Sequence, residues 1–81
     1  MHELSIAASI VQIATEKLAE HGGERVVAVR IRVGPIACVA KEALMFSFGL
    51  ACADTPAEGA SLVIEDGEGA DLDFVQMEIE P

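Results

Sequence analysis

Residues 25–35 read Arg25-Val26-Val27-Ala28-Val29-Arg30-Ile31-Arg32-Val33-Gly34-Pro35. The alternation has period two, which is the signature of a strand. Val27, Val29, Ile31 and Val33 fall on one side. Val26, Ala28, Arg30 and Arg32 fall on the other, which is semi-polar. Such a strand needs a covering layer on one face only. Gly34 and Pro35 stop it.

The segment before this strand supplies a cover. Over residues 4–20, Leu4, Ala7, Ala8, Val11, Ala14 and Leu18 recur at helical spacing, and Ile6, Ile10 and Ile13 widen the apolar face. Gln12, Glu16 and Glu20 mark the wet side. Gly22 and Gly23 end the helix, because glycine takes the left-handed cap conformation without steric cost. His21, in the last turn, reads as a complement to the helix dipole.

Beyond the strand, helix and strand patterns alternate again. Residues 39–51 form a second helical pattern, with Val39, Ala43, Phe46 and Leu50 as its stripe and Leu44 and Phe48 beside it. Asp54, Thr55, Pro56 and Gly59 read as a loop. Residues 61–65 form a second strand, with Leu62 and Ile64 on one face. Residues 66–70 (Asp66, Gly67, Glu68, Gly69, Ala70) make a short turn, and residues 72–80 form a third strand.

In that last strand Leu72 and Phe74 have one parity and Val75, Met77 and Ile79 the other, so a bulge near Phe74 or Val75 is required to keep one buried face. The expected architecture is α/β, an α+β two-layer unit of order α-β-α-β-β, with two helices on a three-stranded mixed sheet. The short turn predicts a hairpin between the second and third strands. Residues 1–81 are expected to form a single domain.

Composition narrows the function classes. The 81 residues are 52% hydrophobic and 23% charged, a balance that favours folding. Net charge is −9. All five basic residues lie at or before Lys41, and ten acids follow it with no base among them. A nucleic-acid partner needs a basic stripe and is excluded. An anionic membrane surface would repel the acidic half. No apolar run approaches the roughly 20 residues of a membrane span, and no secretory signal opens the chain. The expected compartment is the cytoplasm, with reduced thiols.

Chemistry is sparse. There is no phosphate loop, nucleophile elbow or H-E-x-x-H, and no hydroxyl side chain has an evident histidine partner. The reading is therefore not an enzyme, with no catalytic residues. Cys38 and Cys52 bracket the second helical segment, so about 20 Å would separate them at 1.5 Å per residue, and no disulfide joins them. Both read as small buried residues.

The one local signal is the opening Met1-His2-Glu3. A free α-amino group, an imidazole next to it and the intervening amides can form fused chelate rings. Such nitrogen-rich tetragonal sites suit Ni(II) and Cu(II). Glu3 adds a carboxylate at a helix N-terminus, where it can orient the histidine ring.

The chain as a whole resembles the HypA/HybF family of nickel-incorporation proteins. The likeness is carried by MHELSIAASIVQIATEKLAEHG (1–22), RVVAVRIRVGPIACV (25–39), KEALMFSF (41–48), TPAEGASLVIE (55–65) and LDFVQMEIE (72–80). It implies a metallochaperone that delivers Ni(II) for maturation of nickel-iron hydrogenase, and in some members of urease. The implied ligands are the Met1 amine, the His2 imidazole and amide, and the Glu3 amide. The implied partners are a nickel-handling GTPase and the hydrogenase large subunit, with a homodimer as a further expected assembly.

Two departures stand out. Family members carry a zinc domain with two C-x-x-C pairs between the last two strands, whereas this sequence has only the turn at 66–70 and no C-x-x-C, so no structural zinc is expected. Lys41 stands where the family often has proline. The alternative function is a metal-free interaction module that binds a maturation partner, with the acidic C-terminal half as its surface.

Overall fold

The computed structural model describes residues 2–81. Its elements are α1 (Glu3–His21), β1 (Arg25–Val33), a 3₁₀ turn (Pro35–Ala37), α2 (Lys41–Cys52), β2 (Ser61–Asp66) and β3 (Leu72–Glu80). Both helices pack on one face of a three-stranded mixed sheet, as expected. Gly22 ends α1 in the left-handed region at φ 69°, and its N–H donates to the Ala19 carbonyl.

The sheet order is β2-β1-β3, which corrects one expectation. No β2–β3 hairpin forms. β1 lies between the other two, parallel to β2 and antiparallel to β3. The turn is short because it crosses the end of a single intervening strand, a span of about 10 Å. It is bonded to the strand end that it crosses. The Gly67 N–H donates to the Val33 carbonyl at 2.9 Å, the Gly34 N–H to the Asp71 carbonyl at 2.9 Å, and the Ile36 N–H to the Gly69 carbonyl at 2.8 Å. A Cβ at Gly34 would overlap the Gly69 carbonyl oxygen and come within 2.6 Å of the Glu68 oxygen, so this crossing needs glycine beneath it.

Two bulges set the register. The first falls on Val75, where Arg30 pairs with Gln76 and Ile31 with Phe74. This is the irregularity that the parity shift in residues 72–80 required, and it brings Phe74, Met77 and Ile79 against the core together. The second falls on Val27, between the pairs Val26–Ile79 and Ala28–Glu78. It reverses the expected facing at the start of β1. Val26 is fully buried and Val27 is 39% exposed, while Val29, Ile31 and Val33 stay inside.

The core joins Ala7, Ile10, Val11, Ala14 and Leu18 of α1 to the sheet and to Leu44, Phe48 and Cys52 of α2. The expected stripe of α2 is thus corrected: the helix buries the 44–48–52 row and turns Phe46 and Leu50 outward. On the open sheet face, Arg30 and Arg32 reach across to Glu65, Arg32 at 2.8 Å through its terminal nitrogen. These groups are substantially exposed, so the bridges add little stability.

Candidate metal centre at the N-terminus

The candidate ligand set begins at the start of α1. Met1 lies outside the described residues. His2 is the N-cap residue, exposed, with φ −90° and ψ 55°. Its carbonyl accepts the Ile6 N–H at 3.0 Å, the first intrahelical bond. The amides of His2 and Glu3 therefore precede the first intrahelical bond. A metal that displaces amide protons competes with no ladder bond at these two positions.

Glu3 reaches across the surface to the start of α2. Its Oε2 accepts the backbone N–H of Ala40 at 3.2 Å. That bond, more than any other influence, holds its carboxyl below the ordinary carboxylate value. Ala40 is the N-cap residue of α2, which lacks a side-chain cap of its own. One carboxylate thus ties the beginning of the first helix to the beginning of the second, 37 positions along the chain.

A cleft of about 530 Å³ opens beside this tie, lined by Val33, Gly34, Cys38, Ala40, Lys41 and Asp66 among others. Lys41 Nζ meets Asp66 Oδ1 at 2.7 Å across it. Cys38 corrects a further expectation: it is exposed, in the left-handed region at φ 56°, whereas Cys52 is buried as expected. Burial raises the Cys52 thiol above its ordinary value.

Among the described residues, no three His, Cys, Asp or Glu side chains converge on one point where a metal could sit. The Glu3–Ala40 bond and the Lys41–Asp66 pair were not legible in the sequence, since no local pattern links positions so far apart.

The likeness to known proteins runs along most of the chain. Residues 1–71 match the family model described as hydrogenase/urease nickel incorporation, metallochaperone, hypA. The chain belongs to the HypA family. The hydrogenase maturation factor HypA of Chloroflexus aurantiacus is 52% identical over 66 residues, which are 82% of this chain and 58% of that protein. HybF of Salmonella typhimurium is 42% identical over 65 residues, covering 80% of this chain and 58% of its own length. The chain therefore spans somewhat under two thirds of these relatives. The solution structure of the Ni metallochaperone HypA from Helicobacter pylori superposes with a TM-score of 0.76 at 17% identity, covering 94% of this chain and 72% of that one, and it shares the fold. The family description is of a metallochaperone rather than an enzyme. No described helix is long and apolar enough to cross a membrane.

Proposed function

We propose that this chain binds Ni(II) as cargo through Met1, His2 and Glu3 and delivers it during maturation of nickel-iron hydrogenase, in the cytoplasm. The observation that carries the reading is a Met-His-Glu start, within a HypA-family match, whose His2 and Glu3 amides lie ahead of the α1 hydrogen-bond ladder. The proposed donors are the terminal amine, the His2 imidazole, and the amides of His2 and Glu3. The Glu3 carboxylate acts through position: its bond to Ala40 holds the segment against α2.

A nickel-handling GTPase and the hydrogenase large subunit are the proposed partners. We further propose that residues 1–81 act as one nickel-binding domain, with the 66–70 turn in place of the family's zinc domain and no structural zinc. Urease is a second client class for the same cargo.

A Ni(II) titration of the chain beginning at Met1, followed by calorimetry and visible absorption, tests the site. Stoichiometric binding with a yellow planar spectrum is expected, weakening as acid returns protons to the amides. His2→Ala, or one residue added before Met1, should abolish it. Undiminished binding by His2→Ala would sink the assignment.

A further inference from the structure

The second helix carries a surface that neither the core nor the nickel site uses. Residues Glu42, Met45, Phe46, Gly49, Leu50 and Ala53 recur at i, i+3, i+4, i+7, i+8 and i+11, which places them on one face of α2 and its C-cap. All six are exposed. Phe46 is 71% exposed, Leu50 58% and Met45 51%. The opposite row, Leu44, Phe48 and Cys52, is buried. Most amphipathic helices present one apolar stripe to the core and a polar face to water. This one presents two apolar stripes back to back, and an exposed cluster of this kind marks an interaction surface.

The shape and charge of the face identify what it fits. A Cβ at Gly49 would meet nothing within 4 Å, so the middle of this face lies open. Acids stand at both ends of the row, Glu42 before it and Asp54 and Glu58 after it, all exposed. The bases nearest these ends already have acceptors: Lys41 meets Asp66 at 2.7 Å, and Arg25 donates to the Glu58 carbonyl at 3.5 Å. A second copy of this chain would bring a net charge of −9 against −9. An anionic membrane meets the same repulsion.

We infer that the outer face of α2 is a docking site for an amphipathic helix of another protein, one with an apolar stripe flanked by Lys and Arg. Phe46 is its anchor, as aromatic residues at the centre of an interface are. The mode is helix packing on a helix face, with basic flanks drawn to the acidic ends. The inference goes beyond the nickel reading and does not depend on it.

The probe is a fluorescein-labelled helical peptide of three Leu/Lys heptads, titrated with the full metal-free chain by fluorescence anisotropy. Its twins carry Glu for every Lys, or Gln for every Leu. The Leu/Lys peptide should bind at least about tenfold more tightly than either twin, with amide shift changes concentrated at residues 42–53. The double variant Phe46→Ser, Leu50→Ser should weaken binding by at least about tenfold with an unchanged melting curve.

A second variant, Gly49→Gln, favours the helix over glycine and sets a polar side chain in the middle of the face. It should melt no lower than the parent and bind the peptide several-fold more weakly. Equal binding by the serine double variant would reduce the attraction to charge alone and overturn the proposal. So would the absence of binding, or shift changes centred elsewhere. A concentration-dependent dimer that the double variant abolishes would overturn it too, by assigning the face to a second copy.

Discussion

α1 and α2 are both rich in apolar residues, yet they spend them differently. α1 has 19 residues and commits Ala7, Ile10, Val11, Ala14 and Leu18 to the core, with Gln12, Glu16 and Glu20 on its wet side. α2 has 12 residues and buries only the row Leu44, Phe48 and Cys52, leaving Met45, Phe46 and Leu50 outside. The sheet has three strands and accommodates two helices side by side, so each helix can bury only one side against it. An apolar residue beyond that side, such as Leu4 of α1 or Phe46 of α2, adds little to the stability of this fold. The contrast separates residues that hold the domain together from residues held out by it.

The contrast breaks most visibly at Phe48, which is 2% exposed. Phe48→Ala should cost about 3–5 kcal/mol, read from denaturant midpoints, because a ring-sized cavity opens between α2 and the sheet. If it costs less than Phe46→Ala, the inner and outer rows have been exchanged.

Next in size is Gly34→Ala. The added methyl overlaps the Gly69 carbonyl, and the crossing that joins β2 to β3 must shift. A loss of about 1–3 kcal/mol is expected by the same measurement. An unchanged midpoint would mean that the crossing does not rest on β1.

Phe46→Ala should change stability by no more than about 0.5 kcal/mol, as surface changes do. A larger loss would place Phe46 in the core.

The smallest effect concerns acid. Lys41 holds the Asp66 carboxyl below its ordinary value of 3.8, first by a hydrogen bond and then by charge. Glu3 is held down likewise by the Ala40 N–H. A carboxyl lowered in the folded state contributes stability that is present above its unfolded pKa, near 4, and is lost as pH falls through the folded one. Melting temperature should therefore decline as the pH drops below about 4, and Lys41→Ala should flatten part of that decline. Superimposable profiles for parent and variant would show that the pair does not persist in solution.

Much of the fold was legible in local pattern. The helical spacing from Leu4 onward, the glycines after His21 and the alternation through Ile31 each report a single element, and each element formed within a residue or two of its expected bounds. Even the bulge at Val75 was readable, because a change of parity inside a strand has few other resolutions. The bulge at Val27 was not, since valines on both parities leave the phase undefined. The facing of α2 was hidden for the same reason: with Leu44, Met45, Phe46, Phe48 and Leu50 all apolar, more than one stripe can be drawn. At the candidate site, Met1-His2-Glu3 stood out for its donor chemistry, but the partner that anchors Glu3 did not.

By itself, then, the sequence determined the element types, their order, the charge asymmetry and the opening Met1-His2-Glu3, because each depends on residues close together in the chain. Only the tertiary structure decided that β1 lies between β2 and β3, which row of α2 is covered, that Cys38 is exposed, and that Glu3 holds the amide of Ala40. Those outcomes depend on which surfaces compete for one limited sheet, and on backbone groups that find acceptors dozens of residues away. Neither is set by local periodicity.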